Sequence, residues 1–143
     1  MQTNFWVTEI ILHIFETDFM SILKIEPTLT SLDVVLDESS GTLSFKGRSL
    51  PENAASFFKP VYDWVDNYAK NPKTKTTCSF NLEYFNSASR KSVVDILRVL
   101  DSVHKQGNTC TVVWHYDEGD DNMKETGEEY EALFGMPFEF VAY

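Results

Sequence analysis

The sequence predicts an α/β domain in which helices cover one mixed sheet of about five strands. Two observations indicate this fold class. Segments in which apolar and polar residues alternate, as in half-buried strands, are separated by segments with apolar residues at helical spacing. A short turn joins the first two strand-like segments, whereas helical segments separate the later ones. Right-handed crossovers then make the later strands parallel, and 143 residues suit a single domain.

The first predicted element is a β-hairpin. Leu32, Val34 and Leu36 provide the apolar side of its first strand, and residues 42–45 alternate again as its second strand. Residues 37–41, Asp-Glu-Ser-Ser-Gly, form the turn between them. The first strand of the sheet is therefore expected to pair antiparallel.

The first helix follows a polar turn and carries its apolar residues at helical spacing: Phe57, Phe58, Val61, Trp64, Val65 and Tyr68. Pro60 complicates its start, because a proline inside a helix removes a hydrogen bond. We therefore predict a short irregular turn near residues 53–56. The main helix is then capped at Ser56 and holds Pro60 in its first turn.

A strand, a helix and a second strand follow. Residues 78–84 alternate strictly, as in a strand, and residues 110–116 do so again. Between them, residues 90–106 carry one apolar helical stripe, which consists of Val93, Ile96, Leu97, Leu100 and Val103. Gly107 occupies the position favoured just after a helix.

The last part of the domain begins with an acidic loop at residues 117–121. Asn122 and Glu125 fit a capping box and predict the start of a third helix. Phe138 and Phe140 predict a final strand.

Residues 1–19 differ from the rest of the chain, because they are apolar and aromatic and contain no Lys or Arg. The positive start and small-residue cleavage site of a signal peptide are absent. We treat residues 1–19 as an N-terminal extension of unassigned role and residues 20–143 as the domain. Two explanations stay open: Met20 is the natural start, or the extension packs on the domain or on a partner.

The charge is strongly acidic, with a formal net value of −10. We therefore expect no nucleic-acid partner, since non-specific binding to a phosphate backbone needs positive charge. We also expect no membrane contact, since no run of residues is long and apolar enough to span a membrane. Ten of the twelve basic residues lie between Lys46 and Lys105, whereas the chain from Gln106 onward has nine acids and only Lys124 as a base. This asymmetry suits a charge-complementary protein partner, or else a solvated acidic face.

The residue types that usually carry catalysis form no recognisable arrangement. Cys78 and Cys110 fall in apolar alternating segments, so we predict buried free thiols on strands of a cytoplasmic protein. A disulfide is the less favoured alternative, because the sequence shows no secretory context. The sequence has no nucleophile elbow and no glycine-rich phosphate loop. Residues 117–128 have the length of an EF-hand loop but lack its glycine at the sixth position. We therefore expect a non-enzymatic protein with no cofactor and no metal.

The turn before the second helix is the leading functional candidate. Asn86, Ser87 and Ser89 offer three capping side chains where one suffices, so capping alone would explain them. A phosphate here would nevertheless lie at a helix N-terminus, which stabilises anions, with Arg90 and Lys91 in the first turn. It would add roughly two negative charges to a surface able to contact a partner.

Several motifs, in the same order along the chain, resemble those of the SiaC family of biofilm-regulation phosphoproteins. The matching segments are Pro51–Ala54 with Phe58, Pro60 and Trp64, then Leu82–Ser89, Val112–Asp117, Asp121–Glu129 and Pro137–Phe138. The resemblance covers about residues 21–141. It implies a STAS-like fold, as in anti-anti-sigma factors, which agrees with the order of elements predicted above.

The resemblance also implies partner switching. A protein kinase phosphorylates such proteins, a PP2C-type phosphatase removes the phosphate, and the unmodified form binds a target such as a diguanylate cyclase. The family's phosphoacceptor is a Thr directly after the Asn of the turn; Ser87 occupies that position here, with Ser89 as the reserve acceptor. The implied partner-binding residues are Asn86, Ser87, Ser89, Arg90 and Lys91.

Two other functions stay open. One is a constitutive scaffold that binds a partner through the same surface and is never phosphorylated. The other is an enzyme for a small ligand, favoured only by Trp114, His115 and an acidic loop after a strand end, where α/β sites usually lie.

Overall fold

A computed structural model describes residues 22–143 of the chain, so the extension 1–19 and the open question of Met20 lie outside the described residues. The elements in chain order are β1 (Ile22–Ile25), β2 (Asp33–Asp37), β3 (Thr42–Ser49), α1 (Ala54–Lys70), β4 (Lys75–Phe85), α2 (Ser87–Lys105), β5 (Thr109–Tyr116), α3 (Asp121–Leu133) and β6 (Phe138–Ala142). Helices and strands alternate from β3 onward, as predicted.

The strands form one six-stranded sheet in the order β1-β2-β3-β4-β5-β6. The first three strands pair antiparallel, and β3 to β6 pair parallel, with one helix between each parallel pair. The α/β class with one mixed sheet is confirmed. β1 is the one strand of this sheet that the sequence did not predict, because its four residues are too few to show a pattern. Its pairing with β2, with Ile25 opposite Val34, identifies it.

The two faces of the sheet differ in burial. Along β2 to β5, buried side chains alternate with more exposed ones, except near Gly47 in β3 and Tyr84 in β4, and the buried apolar ones form one cluster with the apolar sides of the helices. Aromatic rings fill its centre: the Phe45 and Phe80 rings stack at 4.9 Å, and Phe80 lies 5.6 Å from Trp114. Burial of each such ring contributes roughly 1.5–3 kcal/mol. The opposite face, which includes Ser44 and Ser79, is partly or fully exposed.

Helix α1 begins earlier than the sequence predicted. Asn53 is its N-cap, and the Asn53 Oδ1 accepts a hydrogen bond from the Ser56 N–H at 3.1 Å. The predicted irregular turn at residues 53–56 is therefore wrong. Pro60 lies inside the helix on its exposed side, where water can reach the Ser56 carbonyl that the proline leaves without an intrahelical donor.

Helix α3 also begins earlier than predicted. Asp120 is its N-cap, and the Asp120 Oδ1 accepts from the Met123 N–H at 3.0 Å. The predicted capping box of Asn122 and Glu125 is wrong, because Asn122 already lies in the first turn. An ionised Asp accepts this hydrogen bond and also opposes the positive helix end, so the carboxylate is the favourable cap.

Contact with Trp114 fixes the position of α3 on the sheet. The Trp114 Nε1 donates a hydrogen bond to the Met123 carbonyl at 2.9 Å. Gly127 allows the close approach, since a Cβ at this position would lie only 2.5 Å from the Trp114 Cδ1. The buried indole thereby holds the acidic start of α3 at the end of β5.

Helix α2 ends at the predicted position, with Gly107 just beyond it in the left-handed region at φ 103°. Within residues 22–143, no helix combines the length and apolar composition needed to cross a bilayer.

Cys78 and Cys110 are buried and free, as predicted. Burial raises the pKa of each thiol, so both are protonated at neutral pH and behave as small apolar side chains.

Candidate functional site

The candidate site lies at the edge of the sheet where the parallel strands end. Because β3, β4 and β5 run parallel, the helix that follows each of them begins at this same edge. The three N-caps, Asn53, Asn86 and Asp120, are therefore all at this edge. Helix N-termini carry partial positive charge and free N–H groups, so this edge is suited to binding anionic groups.

Asn86 fixes the turn between β4 and α2. Its side-chain Oδ1 caps the helix by accepting from the Ser89 N–H at 2.9 Å. Its own N–H donates to the Ser49 carbonyl at the end of β3, at 3.0 Å. The turn is thus held to both the helix and the neighbouring strand.

Ser89 is a structural residue in this conformation. It is 0% exposed, and its Oγ lies 2.7 Å from the Ser49 Oγ and donates to the Ser49 carbonyl at 3.2 Å. A phosphate on this hydroxyl would require the start of α2 to separate from β3. The reserve acceptor is therefore inaccessible in the folded domain.

Ser87 is the first residue of α2 and is exposed. Within residues 22–143, no hydrogen bond uses its hydroxyl group as donor or acceptor, and no acid lies in the first turn. Of the three hydroxyl and amide side chains in this turn, one caps and one is buried. Ser87 is the one that presents its hydroxyl to solvent at the positive end of a helix.

Arg90 and Lys91 differ in their surroundings although they are adjacent. The Arg90 guanidinium lies 4.5 Å from the centre of the Phe85 ring, and its Nη1 donates to the Thr126 Oγ1 at 3.4 Å. Arg90 thereby bridges α2 to α3. Lys91 is exposed on α2.

The fold also forms an acidic cleft that the sequence did not predict. We use this name for a depression of about 370 Å³ lined by Leu82, Glu83, Asp117, Gly119, Asp120 and Tyr143. A smaller hollow of about 170 Å³, lined among others by Tyr84 and Arg90, shares Glu83 and Asp120 with it. The acidic loop was visible in the sequence, but Glu83 and Tyr143 join it only because β4, β5 and β6 are neighbours.

Comparison with known proteins gives the family. A family model described as "SiaC family regulatory phosphoprotein" matches residues 25–143. The chain belongs to the SiaC family. An uncharacterised protein of Pseudomonas aeruginosa strain UCBPP-PA14 is 32% identical over 124 residues, which cover 87% of this chain and 98% of that protein.

Solved SiaC structures have the same fold. SiaC of Pseudomonas aeruginosa superimposes with a TM-score of 0.79 at 32% identity, covering 86% of this chain and 99% of that one. A second solved structure shows SiaC of Pseudomonas aeruginosa as the activator of the diguanylate cyclase SiaD, in complex with it. This structure gives a TM-score of 0.81 at 31% identity and covers 85% of this chain and 99% of that one. The resemblance inferred from the motifs is thus confirmed for the family and the fold.

The features that favoured a small-ligand enzyme are separated in this SiaC-family fold. Trp114 is buried in the core and holds α3. His115 lies on the opposite, more open face of the sheet, where its Nε2 is 3.1 Å from the Ser79 Oγ. The acidic loop lies at the sheet edge. The structure therefore does not bring Trp114, His115 and the loop into one pocket.

Proposed function

We propose that this chain is a non-enzymatic signalling protein whose unphosphorylated form binds and regulates a protein target such as a diguanylate cyclase. In this proposal a protein kinase phosphorylates Ser87, and a PP2C-type phosphatase reverses the modification. The observation that carries the proposal is the placement of Ser87: it is exposed and begins a helix, while the neighbouring Ser89 is buried.

The physical chemistry of this position favours a phosphate switch. The hydroxyl is accessible to a kinase, and the first turn of α2 has no acid that would repel a phosphate. Free N–H groups and the helix dipole stabilise an anion at this end, so the modified form keeps its fold. The change of roughly two charges acts instead on whatever contacts the turn.

The surrounding residues have distinct proposed roles. Asn86 and Ser89 hold the turn in one conformation through Ser49, and Arg90 and Lys91 contribute positive charge beside Ser87. A partner that places an acidic or polar group against this surface would be attracted to the unmodified form. A phosphate on Ser87 would repel the same group, which gives the proposed direction of the switch.

A solved complex of a relative supports the proposed class of target. SiaC of Pseudomonas aeruginosa is the activator of a diguanylate cyclase and forms a complex with it, and this chain has the same fold over 85% of its length. We place the switch in the cytoplasm, in agreement with two free buried cysteines, which are typical of reducing compartments.

The proposal is tested by pull-down from lysates of native cells with full-length Ser87→Ala and Ser87→Asp proteins. We expect the alanine protein to retain a diguanylate cyclase, identified by mass spectrometry, and the aspartate protein to lose most of it. Ser56→Asp is the matched control, because Ser56 is also exposed in the first turn of a helix at the same edge. Equal recovery with both Ser87 proteins, or no cyclase with either, would count against the proposed switch.

A further inference from the structure

The acidic cleft lies next to the start of α2, so a partner that contacts Ser87 would also reach the cleft. It shares Glu83 and Asp120 with the hollow that Tyr84 and Arg90 line, and Arg90 belongs to the first turn of α2. The depression therefore continues from the start of α2 to the start of α3. A protein segment lying along this edge would contact the start of α2 and the start of α3.

The charged side chains that line the cleft are all acidic. The carboxylates of Glu83, Asp117 and Asp120 line it, and none of the salt bridges within residues 22–143 neutralises any of the three. The nearby Lys124 lies instead over the Tyr116 ring, at 5.9 Å. Burial raises the pKa of Tyr143, and the nearby charges of Asp117, Glu83 and Asp120 raise it further, in agreement with their shared position in the cleft.

Apolar surface flanks these charges. Tyr84 is 51% exposed and Tyr143 is 53% exposed, and they lie on the two hollows that share Glu83 and Asp120. Tyrosines are enriched in protein interfaces, because the ring buries a large area with little loss of side-chain entropy while the hydroxyl stays hydrogen-bonded. Exposed rings beside carboxylates that form no salt bridge suit a segment in which basic and apolar side chains alternate.

We infer that the acidic cleft is a docking surface for a basic segment of the protein target, one that presents Lys or Arg side chains between apolar ones. This inference rests on the proposed function and adds the chemistry of the partner. The target then contacts this protein at two places. Its basic segment lies in the cleft, and an acidic or polar group lies against the start of α2. Phosphate on Ser87 repels the second part and leaves the first in place.

The test is an NMR titration of the full-length ¹⁵N-labelled protein with a short peptide of alternating Lys and Leu, at low and at high salt. We expect shift changes at Glu83, Gly119 and Tyr143 that saturate and weaken with salt. The triple variant Glu83→Gln, Asp117→Asn, Asp120→Asn should lose about tenfold in affinity, since the charge-assisted contacts are removed. Asn at residue 120 still caps α3, so the fold is preserved.

A matched triple variant distinguishes the effect of the cleft carboxylates from the effect of the protein's net charge. Asp66→Asn, Glu131→Gln, Glu139→Gln removes the same number of charges from exposed positions outside the cleft lining and should bind the peptide as the native protein does. Equal loss in both triple variants, or shift changes remote from the cleft, would overturn the inference. Retained peptide binding with no effect of Ser87→Asp in the pull-down would contradict the proposed switch while supporting the cleft.

Discussion

The N-termini of α2 and α3 are built alike but differ in charge. Each is capped by an Asx side chain that accepts from the N–H three residues on, at 2.9 Å from Asn86 and 3.0 Å from Asp120. At α3 the cap is a carboxylate and Asp121 follows in the first turn, whereas the first turn of α2 has no acid. The positive helix end is thus already compensated at α3 and uncompensated at α2.

This difference decides where an added phosphate is stabilised. An added phosphate at α3 would meet Asp120 and Asp121, whereas at α2 it meets Arg90, Lys91 and free N–H groups. The proposed division of roles follows from this: α2 carries the switch, and α3 carries a permanent acidic surface.

Gly127→Ala should have the largest effect on stability, because the added methyl group meets Trp114 at 2.5 Å and displaces α3. We expect a loss of about 2 kcal/mol or more in the free energy of unfolding by urea, even though alanine has the higher helix propensity. In NMR spectra the largest shift changes should occur in residues 117–127 and at Trp114 and Phe140, which the methyl group meets, with smaller changes at Ser87.

Gly119→Ala is the control for this substitution, since a Cβ there meets only Asp117 Oδ1 at an ordinary 3.4 Å. It should change stability by less than about 0.5 kcal/mol. Similar losses in both variants would show that contact with Trp114 does not position α3.

Ser89→Ala and Ser87→Ala test whether the two serines at the start of α2 have different roles. Removal of the buried Ser89 hydroxyl leaves the Ser49 hydroxyl without its 2.7 Å partner, so we expect a loss of about 1–2 kcal/mol. Ser87→Ala removes an exposed hydroxyl and should cost less than about 0.5 kcal/mol. Urea unfolding measures both, and equal stability of the two variants would contradict the assignment of Ser89 as structural.

The smallest predicted effect concerns the other ends of the same helices. Asp101 of α2 accepts from the Gly135 N–H just after α3 at 2.9 Å and pairs with Lys105 at 2.8 Å. Burial alone would raise the pKa of Asp101, but hydrogen bonds from Lys105 and Gly135 outweigh it, and the pKa lies below its ordinary value of 3.8. The carboxylate therefore stabilises the fold above that value, and the contribution is lost as the pH falls through the lowered pKa.

Asp101→Asn should accordingly be less stable than the native protein near neutral pH, with the difference shrinking as the solution is acidified below about pH 4. Unfolding by urea across this range is the measurement. Asp63→Asn, which removes an exposed pair with Lys59 at 2.9 Å, is the control and should show almost no difference at any pH. A constant difference for Asp101→Asn at all pH values would contradict the lowered pKa.

Local patterns in the sequence predicted most of the fold. Strict alternation at residues 78–84 and 110–116 identified β4 and β5, and the apolar stripe from Val93 to Val103 identified α2. The starts of all three helices were predicted too late, that of α2 at residue 90 instead of Ser87, because several residues near each start are able to cap a helix. Only the observed hydrogen bonds show that Asn53 and Asp120 do so.

The candidate site was predicted only in part, for a related reason. The turn at Asn86–Ser89 was visible from its composition, but the burial of Ser89 depends on Ser49, which lies in another strand. Glu83 and Tyr143 join the acidic cleft through the parallel pairing of β4, β5 and β6. Contacts between residues remote in sequence leave no local pattern, so the structure was needed to separate the two serines and to find the cleft.

The most direct test of the proposed switch is mass spectrometry of the full-length protein isolated from native cells, with every phosphate assigned to a residue. We expect a fraction of molecules with a single added phosphate, located on Ser87, and none on Ser89. Treatment with a PP2C-type phosphatase should return this fraction to the unmodified mass. A protein that is unmodified under all growth conditions, or modified at another residue, would contradict the central claim.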